Sequence, residues 1–170
     1  MSENETKKVD PTAFGLFLVA AVSFPLALFF LIGDEDAVFE LAPLAIVIGF
    51  LIAGVAYLAW KAGSNFGFTV FGLVAAAVFL TGYGALGFFG NLGFAVLFIL
   101  TVIWSIMAKT PLTLTLILVF TTLIFLFVAL NSWQGDDIYK TLAGVSALLN
   151  FLATAYLGLA LASEGKIPAI

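Results

Sequence analysis

The stretch from Leu112 to Leu130 reads LTLTLILVFTTLIFLFVAL, and every residue in it is apolar or threonine. A helix needs about 20 consecutive apolar residues to cross the hydrocarbon core of a bilayer. Five further stretches have the same character: Phe14–Ile32, Leu41–Trp60, Phe66–Tyr83, Phe88–Met107 and Leu142–Ala162. None of these stretches contains Asp, Glu, Lys or Arg. The sequence therefore predicts an all-α integral membrane protein whose six transmembrane helices form a compact bundle.

The composition limits the classes of function. Of the 170 residues, 64% are hydrophobic and only 9% are charged, whereas soluble domains carry about 25% charged residues. The chain contains no Cys and no His, which excludes thiolate nucleophiles, disulfides, imidazole bases and the usual zinc sites. It also has no basic patch that would bind nucleic acid. We therefore expect a protein that is surrounded by the lipid bilayer, is not an enzyme, and has no cofactor, metal or nucleic-acid partner.

The chain is predicted to form one transmembrane domain over residues 10–163. A short disordered head at 1–9 precedes it, and a short tail at 164–170 follows it. The head mixes acids with two lysines, and the apolar run after it lacks a small-residue cleavage site of the signal-peptide type. We therefore expect the first span to remain in the mature protein.

Loop charges predict the orientation of the bundle. With six spans, both termini and the loops after the second and fourth spans lie on one side of the membrane. That side carries five of the six lysines: Lys7, Lys8, Lys61, Lys109 and Lys166. The other side carries Lys140 together with six acids: Asp34, Glu35, Asp36, Glu40, Asp136 and Asp137. Because lysine-rich loops stay in the cytoplasm, we predict a multi-pass protein of the plasma or inner membrane with both termini cytoplasmic.

The spans hold hydroxyls and amides but no ionisable residue, which argues against a pump or a proton relay inside the bilayer. In the third span, Asn65, Thr69, Gly72 and Ala76 fall on one helical face. Stripes of this kind commonly serve helix packing. Asn150 in the sixth span needs a polar partner, because an unpaired amide in a bilayer costs several kcal/mol. The sequence leaves open whether Asn150 joins helices or borders a water-lined path.

The segment GSNFGFT at residues 63–69 separates the second and third spans. Ser64 or Asn65 is a natural N-cap for the third helix. The free N–H groups of such a helix start can bind a small carboxylate, and Lys61 lies nearby in the sequence. We therefore consider residues 66–69 a candidate carboxylate site, with an ordinary capped helix start as the alternative.

Three parts of the chain resemble the acetate uptake transporter family. DPTAFGL at 10–16 is similar to that family's N-P-A-P-L-G-L signature, and GSNFGFTVF at 63–71 is similar to its G-N-T-F-G-L-T-A-F stretch. AGV at 143–145 and TAYLGLA at 154–160 resemble its last helix, which reads A-G-W and then A-I-Y-L-A-M. The signature asparagine is Asp10 here, and the second proline is Ala13. The order and spacing of the motifs agree over nearly the whole chain.

The resemblance implies a homo-oligomer, a hexamer, with a pore through each six-helix protomer. It also implies passage of acetate and related short acids, as the anion or with a proton. Members of the family narrow the pore with side chains on spans one, three and five, and the matching positions are Val19, Val74 and Phe120. The two valines would leave a wider or differently shaped constriction.

These arguments give a set of candidate site residues. The predicted substrate and pore residues are Val19, Asn65, Phe66, Gly67, Thr69, Val74, Phe120, Asn150, Thr154 and Tyr156. The cytoplasmic mouth is predicted at Asp10, Pro11 and Lys61.

The function predicted from these observations is a membrane channel or facilitator for acetate and related short monocarboxylates, with succinate as a further candidate, passive or proton-linked. The acidic outer loops would repel an anion, although salt screens such charges within about 8 Å. One alternative is therefore a channel for small neutral or cationic solutes such as urea, amides or ammonia. Another is a membrane scaffold that transports nothing and uses its polar stripes for packing.

Overall fold

The structure, a computed structural model, describes residues 11–33, 37–163 and 166–170, and of residues 37–40 it describes only the backbone. These residues form six α-helices: α1 Thr12–Ile32, α2 Ala37–Lys61, α3 Asn65–Gly82, α4 Phe88–Met107, α5 Leu112–Gln134 and α6 Asp137–Ala162. The predicted head at 1–9, the predicted mouth residue Asp10 and the acids of the first loop lie outside the described residues.

Each of the six helices is long and apolar enough to cross a membrane, so the predicted fold class is confirmed. Two helices begin well before the apolar runs that predicted them, α2 at Ala37 instead of Leu41 and α6 at Asp137 instead of Leu142. The start of α6 has a local cause, since the Asp136 side chain accepts a hydrogen bond from the Ile138 N–H at 3.0 Å. This cap satisfies an N–H group of the first turn, so the helix can begin among the polar residues that precede the apolar run.

The helices pack as a closed ring in sequence order. Each helix contacts the next along the chain, α6 packs against α1, and the seam between α3 and α4 is the loosest. The tight contact between α2 and α3 depends on glycines. A Cβ added at Gly49 would lie 2.9 Å from the Phe79 amide nitrogen, and one added at Gly82 would lie 2.8 Å from the Ala42 carbonyl oxygen. Small residues therefore let these two backbones approach closely.

Apolar side chains pack inside the ring, among them Phe98 and Leu118, which are almost fully buried. Large hydrophobic side chains also cover the outside, and Phe50 and Phe89 are 72% and 84% exposed. In a soluble protein such a surface would be a liability. In a bundle of membrane-spanning helices it is the surface that faces lipid.

The polar stripe predicted on α3 faces the outside of the ring. Gly72 and Ala76 line an external groove of about 430 Å³ between α2 and α3, together with Phe50. Thr69 shares the helical face of Gly72 and Ala76. The inward face of α3 is the apolar one, which carries Val74. This stripe therefore faces the outside of the helix bundle and not its interior.

Candidate functional site

Two cavities lie inside the ring. The first, here called the near cavity, lies at the end where α1 begins and has a volume of about 210 Å³. The second, the far cavity, extends towards the opposite end, has a volume of about 90 Å³ and is lined by residues from all six helices. Either volume exceeds the roughly 10–15 Å³ that one ordered water requires. The interior therefore has room for water or a small solute on both sides of its midpoint.

Three side chains line both cavities: Val19 of α1, Val74 of α3 and Thr121 of α5. They therefore lie between the two cavities, and we call them the waist. Val19 and Val74 are two of the positions at which the family resemblance implies a constriction. The side chain that α5 contributes is Thr121, which directly follows the predicted Phe120. The two valines are short and branched, and they set the shape of the waist. The Thr121 hydroxyl is the only polar group among these three side chains.

Asn150 lies beside the waist and joins three helices. It is 1% exposed, and its side-chain nitrogen donates to the Thr121 hydroxyl at 2.7 Å and to the Ile117 carbonyl at 3.2 Å. The Ser23 hydroxyl donates to the Asn150 side-chain oxygen at 3.4 Å. Asn150 also lines the far cavity. The side chain thus links α1, α5 and α6 and also borders the far cavity. Its role in permeation stays a prediction.

The start of α3 lies at the near cavity, where Phe66 and Gly67 are part of the lining. Ser64 is the N-cap, and its hydroxyl oxygen accepts a hydrogen bond from the Gly67 N–H at 3.0 Å. The Phe68 N–H is bonded to the Ser64 carbonyl at 2.9 Å. Two of the four N–H groups of residues 65–68 are thus already occupied within the chain. What remains available for a carboxylate here is smaller than the sequence suggested.

Several predicted pore residues lie outside the linings of both cavities. These are Asn65, Thr69, Phe120, Thr154 and Tyr156. The Thr154 hydroxyl donates to backbone carbonyls of its own helix, and the Tyr156 hydroxyl donates to the Pro168 carbonyl at 2.7 Å. The role of these residues in permeation stays a prediction, and the structure gives them no contact with either cavity.

The two described residues of the predicted mouth are likewise outside both linings. Pro11 is the N-cap of α1, and its carbonyl accepts a hydrogen bond from the Gly15 N–H at 3.0 Å. The Lys61 ammonium lies over the ring of Tyr57, 5.3 Å from its centroid, on the exposed surface of α2. The role of Pro11 and Lys61 at the mouth stays a prediction.

Four polar side chains of the far cavity were not among the site residues predicted from the sequence. These are Ser23, Thr81, Asn91 and Thr121. Asn91 carried a usable signal, because it is a primary amide inside an apolar run and must find hydrogen-bond partners there. The two threonines carried none, since a hydroxyl in a membrane helix can bond to its own backbone on any face.

Neither cavity is lined by a described lysine or acid. The walls are mainly apolar, and part of the far wall is an aromatic stack in which Phe98 and Phe125 have ring centroids 5.6 Å apart. An ion entering this space would lose its hydration without meeting an opposite charge on the described side chains, which is costly. The interior therefore suits small molecules that are neutral or only weakly hydrated.

Comparison with known proteins gives a likeness in fold. No family model and no curated protein sequence matches the chain. Among solved structures, the bacterial acetate channel SatP is similar, with a TM-score of 0.82 and 17% sequence identity. The match covers 95% of this chain and 97% of that one. At this identity the likeness establishes the fold, and it confirms at that level the resemblance inferred from the three sequence motifs.

Proposed function

We propose that this chain is a membrane channel or facilitator for acetate and related short monocarboxylates. The observation that carries the proposal is that two cavities lie on either side of one waist. The side chains of the waist come from alternate helices of the ring, α1, α3 and α5. It occurs on a fold shared with a bacterial acetate channel. The chemistry of the interior supports a passive path, because no described charged side chain lines it.

The side chains of the waist support a path for small solutes. Val19 and Val74 are small and are 7% exposed, and the hydroxyl of Thr121 supplies one polar group between them. A short acid has an apolar methyl end and a polar end, which match an apolar wall with a few polar groups. The homo-hexamer implied by the resemblance stays a prediction.

One observation favours a second candidate. Neither cavity has a described basic side chain, and the loops on the predicted outer side are acidic. Both features also suit urea, small amides or ammonia. A comparison of solutes is therefore part of the test.

The test is uptake into liposomes that contain the purified protein, with labelled acetate, succinate, urea and methylammonium compared against protein-free liposomes. We expect acetate uptake above the protein-free level, and we expect Val19→Phe to abolish that excess by filling the waist. The matched control is Val96→Phe, since Val96 is 51% exposed on the outer surface of α4. Uptake of urea alone would favour the second candidate, and uptake of no solute would favour the scaffold.

A further inference from the structure

The far cavity contains side-chain hydrogen-bond donors, but all of them are already used. Its polar lining residues carry seven such hydrogens: one each on Ser23, Thr81 and Thr121, and two each on Asn91 and Asn150. The three hydroxyls donate to the Asn150 oxygen and to the Ala77 and Ile117 carbonyls. The two amides donate to two acceptors each. The described side chains of this cavity therefore offer a solute lone pairs and no free donor.

Asn91 provides the most available of these lone pairs. The residue is 3% exposed, and its side-chain nitrogen donates to the Leu86 carbonyl at 3.1 Å and to the Gly87 carbonyl at 3.0 Å. Two carbonyls on one side of the amide fix its orientation, since the amide oxygen would repel them. The side-chain oxygen must therefore point away from Leu86 and Gly87.

No described residue donates a hydrogen bond to that oxygen. Among the described residues, no buried side-chain nitrogen or oxygen is left without a partner, so the Asn91 oxygen is not sealed inside protein. Asn91 is one of the residues that line the far cavity, which gives this oxygen a space to open into. The first three residues of α4, whose N–H groups would attract an anion, are not part of the lining.

We propose that Asn91 is a specificity-determining residue, whose side-chain oxygen accepts a hydrogen bond from the permeating molecule in the far cavity. This inference rests on the function proposed above. A carboxylate has only acceptors and would meet the Asn91 oxygen with repulsion. An undissociated short acid has one O–H donor, and its O–H···O bond to Asn91 replaces a bond to water. The cavity thus selects the uncharged acid, which carries its own proton through the path.

The test measures charge movement together with uptake. Liposomes containing the full chain receive a tenfold gradient of labelled acetate at equal pH on both sides, and the membrane potential and the internal pH are recorded. We expect protein-dependent uptake with internal acidification and no acetate-driven potential. A potential approaching about 59 mV, which is a tenfold gradient converted for one charge, would show passage of the anion and overturn the inference.

A pair of variants tests the residue itself. Asn91→Leu removes the acceptor and should lower protein-dependent acetate uptake by about 2- to 12-fold, the range that one net hydrogen bond supplies. Asn131→Leu is the matched control, since Asn131 lines neither cavity, and it should leave uptake unchanged. Equal uptake by the Asn91 variant and the unaltered protein would overturn the assignment.

The two proposals fail in different ways. Absence of acetate uptake above protein-free liposomes removes the proposed function, and this inference with it. Uptake accompanied by an acetate-driven potential leaves the function standing and removes only the role of Asn91. Because Asn91 also ties the start of α4 to the preceding loop, uptake by its variant is expressed per amount of folded protein, so that a loss of yield does not count as a loss of transport.

Discussion

Replacing Thr121 by Val tests the waist with a change in chemistry and almost none in shape. Thr121 and Thr122 are neighbours on α5, are each 8% exposed, and donate their hydroxyls to the carbonyl four residues earlier at 2.8 Å. Only Thr121 lines the cavities and accepts a hydrogen bond from Asn150. Thr122→Val is therefore a control that loses the same intrahelical bond without touching the path.

The size of the expected effect follows from the contacts. Thr121→Val loses one interhelical hydrogen bond, which costs about 0.6 kcal/mol in a membrane bundle, so the folded yield should stay close to that of Thr122→Val. It also removes the only polar group of the waist. If a passing solute makes one hydrogen bond there, worth about 0.5–1.5 kcal/mol, the rate should fall by about 2- to 12-fold.

The assay is the initial rate of labelled acetate uptake into liposomes, normalised to folded protein. We expect the Thr121 variant to be slower within that range and the Thr122 variant to match the unaltered protein. Equal rates for both variants and the unaltered protein would mean that solutes do not contact the waist hydroxyl. An equal loss in both variants would assign the effect to the intrahelical bonds of α5 and would refute the reasoning.

The remaining predictions concern orientation and packing. Reporters that are active only in the cytoplasm should work at either terminus, because five of the six lysines lie on that side; activity of a periplasm-only reporter there would reverse the bundle. Gly49→Ala should lower the unfolding temperature in detergent, since its Cβ would lie 2.9 Å from the Phe79 backbone and overpacking costs about 1–3 kcal/mol. Gly54→Ala, on the same helix with nothing within 4 Å, should not lower it, and a similar loss in both would point to a cause other than the contact between α2 and α3.

Some features of the protein depend only on residues close together in the chain, and these could be predicted. Hydropathy sums over a window of about 20 residues, so each span was visible without knowledge of its neighbours. The start of α3 was equally local, because the cap joins Ser64 to the N–H of Gly67, three residues later. The three family-like motifs are also short segments, and they indicated the fold that the comparison then confirmed.

The face of each helix that points into the bundle could not be predicted in this way. In a soluble protein one face of a helix is polar and the other apolar, so the buried face can be read from the sequence. Here lipid and core are equally apolar, and the polar stripe of α3 with Gly72 and Ala76 opens outwards while Val74 reaches the waist. The sequence alone therefore determined the number of spans and narrowed the cap of α3 to Ser64 or Asn65. It also predicted the orientation of the spans in the membrane. The packing of the ring decided which side chains meet at its centre, because the hydrogen-bond partners of Asn150 lie on α1 and α5, more than 25 residues away in the sequence.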